Sequence, residues 1–116
     1  MLKPIKVVDL FAGPGGLGEG FSSVGADSSP TFKIVASIEK EESAHKTLTL
    51  RAFVREFPNK QPPLEYYQYL RKEIDKKTLI ETYPEEWYAA QKETFGTPLS
   101  LGKDNELIYS GISEAL

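Results

Sequence analysis

The sequence contains no cysteine, and that absence removes several chemistries at once. A disulfide framework, a Cys-ligated zinc site and a thiol nucleophile are all excluded within these residues. There is one histidine, His45, and no spacing of His, Asp and Glu that suits a metal. No apolar run approaches the roughly 20 residues needed to cross a bilayer. The formal net charge of −3 gives no general pull toward nucleic acid or an anionic membrane. Met1-Leu2-Lys3-Pro4-Ile5-Lys6 leads straight into a strand pattern, without the apolar core of a signal peptide. A cytoplasmic location and no membrane partner are therefore expected. Internal repeats and low-complexity tracts are absent too. What remains is a globular composition, 40% hydrophobic and 27% charged over 116 residues, enough for one domain with a modest core.

Glycine, by contrast, is concentrated. Five glycines fall between positions 13 and 20, in the run Val7-Val8-Asp9-Leu10-Phe11-Ala12-Gly13-Pro14-Gly15-Gly16-Leu17-Gly18-Glu19-Gly20-Phe21. An apolar strand thus enters a nearly bare turn that opens into a helix. Such a backbone tolerates positive φ and lets a ligand approach closely. Its free N–H groups and the helix start converge on one spot, as in a nucleotide-type cofactor site.

Periodicity orders the rest. Ile5–Leu10 reads as a strand, and Gly16 to about Val24 as a helix with Leu17, Phe21 and Val24 in step, stopped by Gly25. A loop is expected over Ala26–Thr31, then a second strand over Phe32–Ile38. Helix character returns over Glu42–Phe57, with Leu50, Phe53, Val54 and Phe57 on one face, and Pro58 ends it. Strand, helix, strand, helix implies a parallel pair with a right-handed crossover.

After a loop at Asn59–Pro63 the pattern is helical. Leu64, Tyr67, Leu70 and Ile74 are predicted to share one face, and helix is expected to continue over Lys76–Tyr83. Pro84 opens another helix, which Gly96 closes. Thr97–Lys103 reads as a loop, and Asp104 is the expected N-cap of a last helix through Ile108, Ile112 and Leu116. Two strands make a small sheet, so the chain is expected to be an incomplete α/β domain. Residues 1–58 would be its cofactor-binding unit and 59–116 a helical insertion. An unpaired strand edge would then favour a homo-oligomer through that edge.

Gly13, Gly15 and Gly18 satisfy G-x-G-x-x-G between a strand and a helix. Roughly twenty residues after Gly18, at the end of the second strand, comes Glu39, placed to accept hydrogen bonds from ribose hydroxyls. Glu41 and Glu42 are alternatives for that role. Asp9 would repel a pyrophosphate but suits the cationic amino group or sulfonium of S-adenosylmethionine, and Phe11 offers a ring to adenine. A dinucleotide remains the other cofactor of this geometry.

The run Asp9-Leu10-Phe11-Ala12-Gly13-Pro14-Gly15-Gly16-Leu17 resembles the first signature motif of the DNA (cytosine-5) methyltransferases, Asp-Leu-Phe-Ala-Gly-x-Gly-Gly. Ser37-Ile38-Glu39-Lys40 is similar to their second motif, and residues 44–53 to the helix after it. The resemblance covers about residues 5–58. It implies a Rossmann-like S-adenosylmethionine-dependent methyltransferase core of class α/β, here its first two parallel strands plus a helical insertion. Asp9, Phe11, Ala12, Gly13, Pro14, Gly15, Gly16 and Leu17 would form the cofactor loop. Glu39 would take the ribose hydroxyls, with Lys40 beside the adenine where relatives often carry a bulky or apolar residue. The family's Pro-Cys-Gln nucleophile and Glu-Asn-Val segments are missing, so the resemblance implies no catalytic residue here and no activity for this chain alone. Duplex DNA would be engaged through the remainder of such an enzyme, with a restriction–modification system as one setting. The rival readings are a dinucleotide-binding oxidoreductase fragment and a non-catalytic nucleotide-binding subunit.

The other polar and aromatic residues carry blander expectations. His45 should be a surface or half-buried residue rather than a general base. Tyr66, Tyr67, Tyr69, Trp87 and Tyr88 should serve packing or an interface, and Lys72, Lys76 and Lys77 a solvated face. Glu41/Glu42 and Glu85/Glu86 should complement helix starts.

Overall fold

The computed structural model describes residues 3–26 and 29–116. Met1, Leu2, Asp27 and Ser28, and with them part of the expected start and of the expected loop, lie outside the described residues. β-branched residues set the first strand, β1 (Ile5–Asp9), which leads through the glycine turn into α1 (Gly16–Ser22). The helix stops two residues short of the expected Val24. Gly25 stands in a left-handed conformation with φ +90°, and a Cβ there would meet the Thr31 backbone nitrogen at 2.8 Å. That close approach belongs to a small hairpin in place of the expected loop: β2 (Gly25–Ala26) pairs antiparallel with β3 (Ser29–Pro30). The chain then enters β4 (Phe32–Ser37), which lies parallel to β1.

The register of that pair sets where the two strands end. Ile5 faces Phe32 and Val7 faces Ile34, but a bulge after Val7 brings Val8 opposite Ala36 and Asp9 opposite Ser37. The strands therefore finish level with each other. Pairing continues past them, with Ile38 N donating to the Asp9 carbonyl at 2.8 Å and Ala12 N donating to the Ile38 carbonyl at 2.9 Å. The backbone of Ile38 thus holds both ends of the turn's first half.

Helix α2 (Glu42–Arg55) buries His45, Leu48, Thr49, Ala52 and Phe53. Those positions form a stripe at helical spacing, rotated from the expected one because two of its members are polar. Thr94 satisfies both of them. Its carbonyl lies 2.8 Å from His45 Nε2 and its hydroxyl 3.0 Å from Thr49 Oγ1. His45 is 6% exposed, so the histidine expected at the surface or half-buried is a core residue with a hydrogen bond.

Pro58 ends the helical run as expected and starts a short 3-10 turn, Pro58–Lys60. Helix α3 (Leu64–Leu70) is shorter than expected and presents a different face. Leu64, Tyr67 and Leu70 are exposed, whereas Tyr66 and Tyr69 pack inward with Ile74, which falls after the helix. Lys72, with φ +62°, turns the chain before Ile74, so the expected continuous face is broken there. Asp75 then caps α4 (Lys76–Thr82), accepting from Thr78 N at 2.8 Å. Pro84 opens α5 (Pro84–Glu93) as expected, and the helix ends ahead of Phe95 and Gly96, both at positive φ. The last helix, α6 (Asn105–Ala115), starts after Asp104, whose carboxylate accepts from Ser100 N at 2.8 Å and ties the loop instead of capping the helix.

Two apolar clusters hold these elements. One joins α2, α4 and α5 through Ala52, Phe53, Leu79, Trp87 and Ala90, with Phe57 and Tyr83 edge-on at 5.1 Å. The other joins Ile38, Leu99 and Ile108. A charged group spans α1, α2 and α5: Arg55 lies 3.1 Å from Glu19 and 3.0 Å from Glu93. One guanidinium serves two carboxylates there, and burial pushes the Glu93 carboxyl up to about 7 despite Arg55, with Glu56 and Glu19 adding to the rise.

Candidate functional site

The glycine turn and Glu39 meet at the level ends of β1 and β4. Glu39 Oε1 accepts from Gly13 N at 3.0 Å, and its Oε2 accepts from Glu41 N at 2.8 Å. One carboxylate therefore fastens the turn and the approach to α2 together. Each oxygen uses one of about two acceptor directions, so each keeps one for another donor. Asp9 is half-buried, and its Oδ1 accepts from Phe11 N at 3.2 Å, fixing the entry of the turn.

Two glycines are required by the path itself. Gly13 has φ +57° and Gly15 φ +99°, where an L side chain is strained. A Cβ on Gly15 would also stand 3.1 Å from Leu48 Cδ1, because α2 packs directly under the turn. Above Gly16 there is open space, with nothing within 4 Å of a Cβ position. Phe11 is 80% exposed, and Pro14, Leu17 and Lys40 are exposed as well. Ala12 is buried and contributes through its backbone. With seven residues, α1 carries only a weak dipole, so backbone donors and side chains set the chemistry here. The arrangement offers a carboxylate with spare acceptor capacity, a bare turn and a free aromatic face.

Several supporting residues gave no motif signal. Leu99 N donates to the Glu39 carbonyl at 3.0 Å, so the loop before α6 pins the carboxylate's backbone. Ile38 is 2% exposed and anchors the turn from the second cluster. Leu48 and Arg51, one helical turn apart on α2, are the spacing that could have revealed the seat of Gly15.

Trp87 is buried with Lys76 Nζ 5.1 Å from its ring centroid, a cation–π contact. Glu42, Glu85 and Glu86 sit in the first turns of their helices. Among the described residues no group of His, Asp and Glu is arranged to hold a metal ion, and no helix is long and apolar enough to cross a membrane.

A two-stranded parallel sheet with helices, and a glycine turn closed by a carboxylate at the strand ends, is compatible with a methyltransferase-type α/β fold. The sequence matches the C-5 cytosine-specific DNA methylase family over residues 5–84, most of the chain, and the protein belongs to that family. It is also 46% identical over 66 residues to the Type II methyltransferase M.Bpa9945I of Bacillus paralicheniformis (strain ATCC 9945a / NCIMB 11709 / CD-2). That match takes in 56% of this chain and 13% of the relative's length. No solved structure matches the chain.

Proposed function

We propose that residues 9–17 and Glu39 bind S-adenosylmethionine, and that this chain is the donor-binding part of an enzyme that methylates cytosine C5 in duplex DNA. The observation that carries the reading is the Glu39 carboxylate on Gly13 N, which joins the two sequence motifs into one strand-end crevice. The residues present fit the cofactor. Glu39 has acceptor directions left for two ribose hydroxyls, Phe11 has a free face for adenine, and the space above Gly16 admits a ligand beside the backbone. Asp9 supplies negative charge near the cationic amino-acid end, and Pro14, Leu17 and Lys40 border the crevice. When bound, the cofactor supplies the methyl group.

No residue here can supply a cysteine thiolate. A separate segment then contributes the nucleophile and the pocket for a flipped base, and this chain alone is inactive. Residues 1–58 form the Rossmann-like cofactor unit and residues 59–116 a helical insertion of the same domain. The resemblance to a Type II methyltransferase favours a restriction–modification role in the cytoplasm. Among the described residues β1 pairs with β4 alone and Ile5 is 59% exposed, so another strand, or in isolation a second copy, covers this edge. Light scattering that shows only monomer at high concentration refutes the self-pairing.

Calorimetric titration with S-adenosylhomocysteine tests the donor site, with NADH as the competing ligand. Phe11→Ala is the cleaner variant because the ring supports nothing else, and it should weaken binding by about three- to tenfold. Glu39→Gln separates loss of charge from loss of the turn's acceptor. Saturation by NADH alone would replace the reading with the dinucleotide one.

A further inference from the structure

Beside the glycine turn, a cleft of about 470 Å³ is lined by residues of α1, α2 and α3 that the donor site leaves unused. Arg51, Lys60, Tyr66, Tyr67 and Glu19 supply its polar lining residues. Arg51 is half-buried, with its stem against the turn: a Cβ on Gly15 would lie 3.4 Å from Arg51 Cδ and 4.0 Å from a guanidinium nitrogen. Among the described residues no carboxylate stands within ion-pair distance of it. Glu19 is held by Arg55 at 3.1 Å. Lys60 Nζ donates to the Ser22 carbonyl. Tyr66 and Tyr67 meet edge to face at 5.8 Å, which stiffens that side of the cleft. Burial raises the Tyr66 phenol while Arg51 nearby draws it back, so the two share one environment.

A half-buried guanidinium without a carboxylate keeps a planar fork of N–H donors for an oxyanion. Tyr66 and Tyr67 line the same space, and its one carboxylate, Glu19, is paired with Arg55. We propose that this cleft is a phosphate-binding site, taking a phosphate group of the DNA backbone or of a free nucleotide. The DNA source rests on the methyltransferase reading; the phosphate chemistry does not.

The test is an amide NMR titration of the isotope-labelled chain with inorganic pyrophosphate, then with a duplex of about one helical turn at low salt. Pyrophosphate should shift the signals near Gly15, Arg51, Lys60 and Tyr66 saturably. Arg51→Gln should abolish the response, Arg51→Lys retain part of it, and Tyr66→Phe weaken it severalfold. A duplex that competes for the same signals, with its salt dependence reduced by about one charge in Arg51→Gln, assigns the site to the DNA backbone. A duplex that does not compete assigns it to a free phosphate ligand. Absence of a saturable shift, or an unchanged response in a folded Arg51→Gln, overturns the proposal. If Arg51→Gln does not fold, the Tyr66→Phe and Arg51→Lys responses decide. S-adenosylhomocysteine, followed on residues 11–13 of the same sample, reports the donor site separately, so failure of one reading leaves the other readable.

Discussion

Around the glycine turn the backbone makes most of the structure. Ile38 bonds to residues 9 and 12, Glu39 bonds to Gly13 and Glu41, and the side chains of Phe11 and Leu17 stay in solvent. Where α2 meets the helices after Pro58 the balance reverses. Trp87, Leu79, Tyr83 and Phe57 close around Phe53, and the loops between helices are shaped by what those rings need. The turn leaves Phe11 and Leu17 on an open surface, while the cluster around Phe53 is hidden from solvent. Apolar side chains left in water add nothing to stability, so the fold leans on the ring cluster rather than on the side chains of the turn.

Substitutions can break this contrast or sharpen it. Phe53→Ala should have the largest effect, lowering stability by about 3–5 kcal/mol in urea titrations, because a fully buried ring leaves a cavity. A loss near that of a surface substitution would mean the helical region is not the mechanical support. Arg55→Met should cost about 3 kcal/mol, since Glu19 and Glu93 then face each other without their shared cation.

Glu93 links the regions through pH. Its carboxyl titrates at about 7 in the fold, above the ordinary carboxylate value, so the folded chain holds its proton more tightly than the unfolded chain does. Its contribution to stability is complete below the ordinary value and is lost as pH rises through 7, a decline of about 2–3 kcal/mol. Urea midpoints measured from pH 5 to 7.5 should fall less in Glu93→Gln than in the parent, and parallel profiles would refute the assignment. Gly15→Ala should cost about 1–2 kcal/mol from its positive φ and the contact with Leu48. It should also loosen the turn, seen as faster amide exchange at Gly13. The smallest effect is expected for Phe11→Ala, within about 0.5 kcal/mol of the parent. A large loss there would show that the ring is part of the core.

Much of the first region is legible in the sequence because its signals are local. A β-branched run, a cluster of glycines and an acidic residue at the next strand end each act over a few positions, and they lead to β1, β4 and the Gly13–Glu39 meeting. The stripe of α2 is hidden from such a reading because His45 and Thr49 look like surface residues. They are buried only because Thr94, far along the chain, supplies their partners. The face of α3 misleads for a similar reason: its periodicity fits Leu64, Tyr67 and Leu70, but the space beside Phe53 and Trp87 admits Tyr66 and Tyr69.

The sequence by itself determined the strand–turn–helix order, the glycines that the turn requires, the breaks at Pro58 and Pro84 and the family motifs, since each depends on neighbours within a turn or a strand. The tertiary structure alone decided the bulge that levels Asp9 with Ser37, the buried network around Thr94, the sharing of Arg55 by two carboxylates and the hold of Leu99 on Glu39. Each of these joins residues distant along the chain, and side-chain volume and the pairing of buried polar groups select among arrangements that local propensity leaves equal.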